Sequence, residues 1–130
     1  MEAGKAIYNI LSTDSNVTAV TSRIYGNEAR QGMVFPCVIY NVISDVGVNT
    51  KSGMGALQSR VQVDCYCEKY EDVNALAILV RTSLADKAKG TYGGVLVQTI
   101  KFDSSNDTIE NEGFDGVFRV SMDFMIFYTI

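Results

Sequence analysis

The spacing of apolar residues changes several times along the chain, and each change predicts a different element. Ala3, Ile7 and Leu11 lie at helical spacing, which predicts a short amphipathic helix over residues 3–11. Asp14 is placed to cap a second, smaller helical turn, and residues 23–26 return to an extended pattern. The chain is therefore expected to open with a helix, a turn and a strand.

The next two segments predict a β-hairpin with a long connection. Residues 37–44 are rich in β-branched and aromatic side chains, and residues 57–67 alternate apolar with polar positions, both typical of strands. Between them, residues 45–56 are mostly glycine and small polar side chains. Hairpin loops usually have about two to five residues, so we expect a long loop at about 45–56 that protrudes from the sheet.

The clearest helical pattern covers about residues 70–88. Acidic side chains stand at its start and Lys87 and Lys89 near its end, the charge order that a helix dipole favours. The predicted buried stripe consists of Val73, Leu76, Ala77, Val80 and Leu84. We expect this segment to be the main helix, packed on the sheet.

Two further strands are predicted near the end of the chain. A Gly93–Gly94 turn precedes a strand at residues 95–102, and an acidic turn at 103–116 separates it from a last strand at 117–128. Beyond Asp123 the last strand is apolar on both faces. Because such a strand must be covered on both sides, we expect its end in the centre of the sheet or against a neighbouring subunit.

These elements together predict one α+β domain spanning residues 1–130. Its sheet is expected to be mostly antiparallel and packed by the main helix and the short N-terminal helix. With 47% hydrophobic and 20% charged residues, the composition is that of an ordinary globular protein. The first residues show no basic segment followed by an apolar one, and no segment is apolar enough to span a bilayer. We therefore expect a soluble protein made in the cytoplasm.

The charge balance argues against sequence-specific recognition of nucleic acid. The formal net charge is −4, whereas binding to a phosphate backbone requires clustered Lys and Arg. DNA could still slide through an opening lined with like charge. The acidic residues considered for such a lining are Asp103, Asp107, Glu110 and Glu112. The simpler alternative is that they form a solvated turn.

The sequence contains no recognisable catalytic constellation. It has no histidine, and the candidate nucleophile Cys37 has no partner base that the sequence suggests. Gly93–Gly94 lacks the spacing of a phosphate-binding loop. Cys37, Cys65 and Cys67 are too few ligands for a metal site and are expected to be buried free thiols. We therefore predict no enzymatic activity, no cofactor and no metal.

An Arg-Val-x-x-Asp pattern occurs twice, at residues 60–64 and 119–123. Positions four apart on a strand share a face. If the two strands pair antiparallel in the matching register, Arg60 faces Asp123 and Asp64 faces Arg119. On the other face, Val61 and Val63 would then meet Met122 and Val120. The alternative is that each charged side chain simply faces solvent on a separate strand.

The segment at 45–56 has three interpretations: a ligand loop, an assembly arm or a slack hairpin connection. Apolar residues on a glycine-rich tether favour an assembly arm, which becomes ordered when it meets a partner. The candidate assembly residues, in this segment and elsewhere, are Val46, Val48, Lys51, Met54, Arg60, Asp64, Arg119, Asp123 and Phe127.

Four short segments, taken in order, resemble the tail-completion and tail-terminator proteins of long-tailed bacteriophages, a family that includes minor tail and head-tail joining proteins. These segments are RIYG at 23–26, FPCVIY at 35–40, RVQVDCY at 60–66 and RVSMDF at 119–124. They follow the short N-terminal helix, so the resemblance covers nearly the whole chain. The cysteines depart from the family pattern, and we interpret them as variation within the core.

The resemblance implies a structural protein of the virion tail. Such proteins are expected to form a ring, typically hexameric, at the head-proximal end of the tail tube, where the ring stops tube polymerisation and offers a docking surface to the head. The implied partners are further copies of the chain, the tail-tube protein and the head-tail connector proteins, without a membrane, and DNA may pass through the ring. The alternative is another connector or minor tail component that stays monomeric until it is assembled.

Overall fold

Three helices and six strands make up the described part of the chain. The computed structural model describes residues 2–26, 34–50, 53–85, 87, 89–110 and 117–129, and the backbone alone at residues 2, 48–50, 53–55 and 107–110. The helices are α1 (Glu2–Thr13), α2 (Ser15–Thr18) and α3 (Tyr70–Leu84). The strands are β1 (Ile24–Gly26), β2 (Cys37–Thr50), β3 (Gly53–Cys67), β4 (Gly90–Tyr92), β5 (Val95–Glu110) and β6 (Val117–Thr129). None of these helices is both long and apolar enough to cross a membrane.

The strands form one six-stranded sheet in the order β1-β2-β3-β6-β5-β4. Every neighbouring pair is antiparallel except β1 and β2, which are parallel. The predicted α+β class and mostly antiparallel sheet are confirmed. Strand β6 lies at the centre, between β3 and β5, which is one of the two positions expected for a strand that is apolar on both faces.

The core lies between one face of the sheet and the helices. The five residues of the predicted stripe on α3 are all buried, together with Ile7 and Leu11 of α1. They pack against alternate residues of the central strands, such as Val63 and Phe124. The main helix is therefore confirmed, although it ends at Leu84 and not near residue 88, because Ala85 already has an extended backbone. Lys87 lies beyond the helix, where it cannot serve as the basic end of the helix dipole.

The predicted hairpin at β2 and β3 is confirmed, but its loop is far shorter than expected. Strand β2 continues to Thr50 and β3 begins at Gly53, so the described residues of the segment 45–56 are paired as strand. Extended pairing satisfies the backbone hydrogen bonds that a long loop would leave to water. On β3, pairing with β6 begins at Leu57. The residues beyond it form a two-stranded extension, here called the ribbon (residues 47–50 and 53–56).

The acidic segment after Phe102 is also strand where we expected a turn. Strand β5 continues to Glu110, so Asp103, Asp107 and Glu110 all lie on it, whereas Glu112 is outside the described residues. Short polar side chains such as Ser104 are compatible with a strand when β6 supplies a full antiparallel partner, as it does here. The tertiary pairing thus overrides the weak local preference for a turn.

The glycine turn is confirmed, and the short strand β4 before it was not predicted. Gly93 and Gly94 have φ values of 59° and 81°, in the left-handed region that favours glycine. A Cβ on Gly93 would also lie 2.7 Å from the backbone oxygen of Lys5 in α1. The turn is therefore fixed against the first helix.

Candidate assembly surface

The helices cover one face of the sheet, and the opposite face carries most of the predicted assembly residues. From Arg119 onward, residues of β6 alternate between half-buried and buried. The half-buried residues, among them Arg119, Asp123 and Phe127, point away from the helices. We call this side the open face. No described helix packs on it.

Ion pairs cross the middle of the open face. Arg60 on β3 lies 2.9 Å from an Asp103 oxygen and 3.7 Å from an Asp123 oxygen. Asp64 lies 3.6 Å from Nε of Arg119. The fold therefore brings together all four charged residues of the repeated Arg-Val-x-x-Asp pattern, and it adds Asp103 from β5.

The predicted pairing of these two strands is right in direction and wrong in register by two residues. Strands β3 and β6 are antiparallel neighbours, but Asp123 lies opposite Gln62, and Arg119 lies opposite Tyr66. The ion pairs form diagonally because the long arginine side chains span the offset. On the helix face, Val61 lies opposite Phe124 and Val63 opposite Met122. A shift of two residues keeps every side chain on its face, so alternation alone cannot distinguish the two registers.

Gln62 links the two halves of this charged region. Its amide nitrogen donates to the Ser121 hydroxyl at 2.9 Å and to Asp64 at 3.1 Å. Gln62 and Ser121 stand at variable positions of the repeated pattern, so the sequence did not indicate a role for either of them. Because the arginines and carboxylates compensate one another, the centre of the open face is close to neutral. Ion pairs exposed to this degree contribute about 0–1 kcal/mol each, so their main effect is on specificity.

The end of the open face nearest the ribbon carries four apolar side chains. Val46 on β2 is 57% exposed and Leu96 on β5 is 37% exposed. Met125 and Phe127 of β6 are half-buried in the same region, where Gln58 lies between Val46 and Phe127. We call these four residues the apolar end. Val46 and Phe127 were predicted assembly residues. The apolar pattern beyond Asp123 already indicated Met125, whereas only the sheet order brings in Leu96.

Three other assembly candidates lie on the ribbon or its turn. The structure describes the backbone of Val48 and Met54 as paired strand, and their side chains are outside the described set. Lys51 is outside the described residues altogether. Their role stays a prediction.

The base of the ribbon is attached to the central strand by a polar cluster that the sequence did not suggest. The Tyr128 hydroxyl donates to the Asp45 carboxylate at 2.8 and 2.9 Å, and the Ser59 hydroxyl donates to the same carboxylate. Tyr128 and Ser59 are 1% and 0% exposed. Asp45 therefore satisfies two buried hydroxyl groups at the point where the ribbon leaves the sheet.

The acidic residues proposed for a lumen are only partly described. Asp103 is paired with Arg60 at 2.9 Å, which reduces the negative charge it would present to DNA. The side chains of Asp107 and Glu110 are outside the described set, as is the whole of Glu112. A lumen-facing role for them stays a prediction.

The thiols are inert. Cys37, Cys65 and Cys67 are all free and buried, as predicted. Burial raises the pKa of Cys37 to about 12 and that of Cys67 to about 11, and it raises the pKa of Cys65 well above the ordinary range. A thiol with a raised pKa supplies little thiolate, the reactive form. In the described part of the chain, no group of His, Cys, Asp and Glu could hold a metal ion.

A six-stranded sheet with helices on one face, ion pairs across the other and an apolar patch at its edge is the architecture of a subunit that assembles with other proteins. The comparisons agree with this class. Residues 5–129 match the family model described as "Tail completion protein gp17". No curated protein sequence matches the chain.

The chain therefore belongs to the tail completion protein family of bacteriophages. Among solved structures, it is similar to a chain of the "Virion of native gene transfer agent (GTA) particle", with a TM-score of 0.79, 15% sequence identity, and coverage of 98% of this chain and 97% of that chain. At this identity the match shows a shared fold. The protein is a structural component of the virion tail.

Proposed function

We propose that the chain forms a closed ring of identical subunits, most simply a hexamer, at the head-proximal end of the tail tube. The ring ends tube polymerisation and offers the docking surface for the head connector. Its partners are further copies of the chain, the tail-tube protein and the connector, and DNA passes through its centre. The protein acts by binding and catalyses no reaction.

The observation that carries this proposal is the apolar end of the open face. Val46 and Leu96 are exposed apolar side chains at the same end of the sheet as two half-buried ones, Met125 and Phe127, on a surface that no described helix covers. An exposed apolar patch that borders polar residues is typical of a protein–protein interface. The compensated charges beside it, Arg60 and Asp123 among them, can be buried against a partner without leaving one sign of charge unpaired.

The pairing of charges on the open face also indicates which surface is suited to line a passage for DNA. A lumen that lets DNA slide is best lined by uncompensated carboxylates, whereas Asp64, Asp103 and Asp123 of the open face are paired with arginines. The open face is therefore better suited to contact protein than DNA. The acidic end of β5 and the turn that follows it, at residues 107–112, are the better candidates for the lumen.

The test is the solution mass of the purified protein, measured by light scattering over a range of concentrations. We expect a species near six subunits. Phe127→Arg places a charge in the apolar end and should abolish that species while the circular dichroism spectrum is retained. Val20→Arg is the matched control, because Val20 is 41% exposed but lies after α2, away from the open face.

An unchanged mass for Phe127→Arg would exclude the apolar end as the ring contact. A monomer at every concentration would contradict a ring that forms on its own. It would favour the alternative, a completion protein whose assembly depends on the tail end itself.

A further inference from the structure

Two long strand edges are unpaired in the described structure. Strand β1 pairs with β2 only at Val38–Tyr40, so β2 from Asn41 onward has no described partner on its outer side. On the other side of the sheet, β4 pairs with β5 only at Val95–Val97. The rest of β5, as far as Glu110, has β6 on one side and no described strand on the other.

The two edges run in opposite directions. Going from β2 through β3 and β6 to β5, each step is antiparallel, so β5 is antiparallel to β2. A second copy placed in the same orientation beside the first therefore brings its β2 edge antiparallel to the β5 edge of the first. Such pairing extends the sheet from one copy into the next with its faces in register.

The regular part of each edge is limited by irregularities. Strand β2 is irregular between Val42 and Ser44 and again after Val48, which leaves Ser44–Val48 as a regular stretch. Strand β5 is irregular between Phe102 and Ser104, and Ser104–Glu110 is regular. Neither stretch contains the proline or lysine with which exposed edges are commonly protected. The β2 stretch has five residues and the β5 stretch has seven, and because Ser44 is level with Lys101 across the sheet, pairing the two stretches displaces the second copy along the strand direction.

Apolar side chains on the helix side of the sheet are exposed near both edges. A groove of about 450 Å³ lies beside β2 and is lined in part by Tyr8, Tyr40 and Val42. A cavity of about 170 Å³ lies beside β5 and is lined in part by Ile78 and Ser105. Tyr8 is 48% exposed and Ile78 is 55% exposed. An added strand would bring these apolar side chains under the neighbouring subunit.

We propose that Ser44–Val48 of one subunit pairs antiparallel with Ser104–Glu110 of the next, so that the sheet continues from subunit to subunit around the ring. This inference rests on the proposed ring and specifies the contact that closes it. Because the two edges are unlike, the contact is heterologous, and a heterologous contact repeated about an axis can close into a ring.

Disulfide cross-linking between separately prepared variants tests the contact. Val46→Cys is mixed with Asn106→Cys and, separately, with Thr108→Cys, because antiparallel pairing of Ser44–Val48 with Ser104–Glu110 places Val46 opposite position 106 or 108, and all three positions are on the open-face side of their strands. Opposed residues in an antiparallel pair have Cα atoms about 4.5–5.5 Å apart, within reach of a disulfide. Mild oxidation should link at least one mixture into dimers, and the buried native thiols should not compete.

Ser105→Cys is the matched control, because Ser105 is equally exposed and adjacent in sequence but lies on the helix side of β5. We expect at least about ten times less dimer when it is mixed with Val46→Cys, since the two thiols would face opposite sides of the sheet. Each variant alone should also give little dimer.

The outcomes separate this inference from the proposed function. A particle of ring mass without cross-linking in either mixture would contradict the edge contact and leave the ring intact. Dimers formed by Val46→Cys alone would show that like edges pair and would overturn the head-to-tail arrangement. A monomer that does not cross-link would contradict both proposals.

Discussion

Individual residues in this protein act mostly through partners that are distant in sequence. Asp45 illustrates this, because its carboxylate accepts hydrogen bonds from Ser59 and from Tyr128, which is 83 positions away. It lies in a segment whose composition suggested a loop. The contact with Tyr128 fixes the base of the ribbon to the central strand and gives a buried tyrosine hydroxyl its acceptor.

Replacing Tyr128 with phenylalanine isolates this contact. Tyr128→Phe keeps the buried ring but removes the donor to Asp45, so we expect the free energy of unfolding to fall by about 1–2 kcal/mol. Urea denaturation measures the change. The control Tyr8→Phe, at a hydroxyl-bearing ring that is 48% exposed, should change stability by less than about 0.5 kcal/mol. Equal effects of the two substitutions would show that the hydrogen bond does not stabilise the fold.

Asp14 gives a prediction that depends on pH. The nearby Ser83 hydroxyl, together with the backbone N–H groups of Asn16 and Val17, holds the pKa of Asp14 below its ordinary value of 3.8. A carboxylate with a lowered folded pKa contributes stability above its unfolded pKa, and the contribution is lost as the pH falls through the folded value. The charged form is therefore the stabilising cap of α2.

We expect Asp14→Ala to lower the free energy of unfolding by about 1 kcal/mol at pH 7 and by progressively less below pH 3.8. Asp14→Asn, which caps without titrating, should have a smaller cost at pH 7 that also disappears in acid. Denaturation at pH 7, 5 and 3 measures both series. A destabilisation by Asp14→Ala that grows as the pH falls would contradict the conclusion that the charged carboxylate is the stabilising cap.

At the scale of elements, long antiparallel pairings replace two segments that looked like loops. Strands β2 and β5 each continue through polar, turn-like sequence because an adjacent strand accepts and donates their backbone hydrogen bonds. The ribbon is the part of this arrangement with the fewest contacts, since its strands pair with each other and with no other described strand. It should therefore contribute to assembly more than to folding.

Shortening the ribbon tests that separation. Replacing residues 48–56 with an Asn-Gly turn, so that the paired residues Gly47 and Leu57 flank it, should change the free energy of unfolding by less than about 1 kcal/mol, because the remaining hairpin is still closed by a favourable turn. Assembly measured by light scattering should be lost. The control keeps the ribbon length and replaces only residues 51–52 with Asn-Gly. A shortened variant that still assembles would contradict a role for the ribbon.

For the whole molecule, net charge and interface chemistry act in opposite directions. Each copy carries a formal charge of −4, so bringing copies together costs electrostatic energy that salt screens. The proposed contacts are strand edges and an apolar patch, which salt does not weaken. Assembly should therefore be favoured by ionic strength.

Light scattering at two salt concentrations checks this expectation. Raising sodium chloride from about 0.05 M to about 0.5 M should strengthen association by about tenfold, since the Debye length falls below the spacing of surface charges. The monomeric variant Phe127→Arg should show no such dependence. Association that weakens in salt would indicate that ion pairs between subunits hold the assembly together.

The sequence alone determined the elements whose signals are local. The stripe on α3, the helical opening of α1 and the alternation of β3 and β6 follow from the periods of burial in a helix and a strand, and the structure confirms each. The repeated Arg-Val-x-x-Asp pattern suggested antiparallel pairing of β3 and β6 as one of two alternatives, and the structure shows that they are antiparallel neighbours. The order of short family segments was enough to indicate the tail completion family.

The tertiary structure decided what depends on distant partners. It set the register of β3 against β6, because registers that differ by two residues place the same side chains on the same face. It turned both polar segments into strand, because backbone pairing outweighs a weak local preference. It also brought Leu96 beside Phe127, and Asp45 beside Tyr128, because the order of strands in a sheet is not written in the spacing of residues along any one of them.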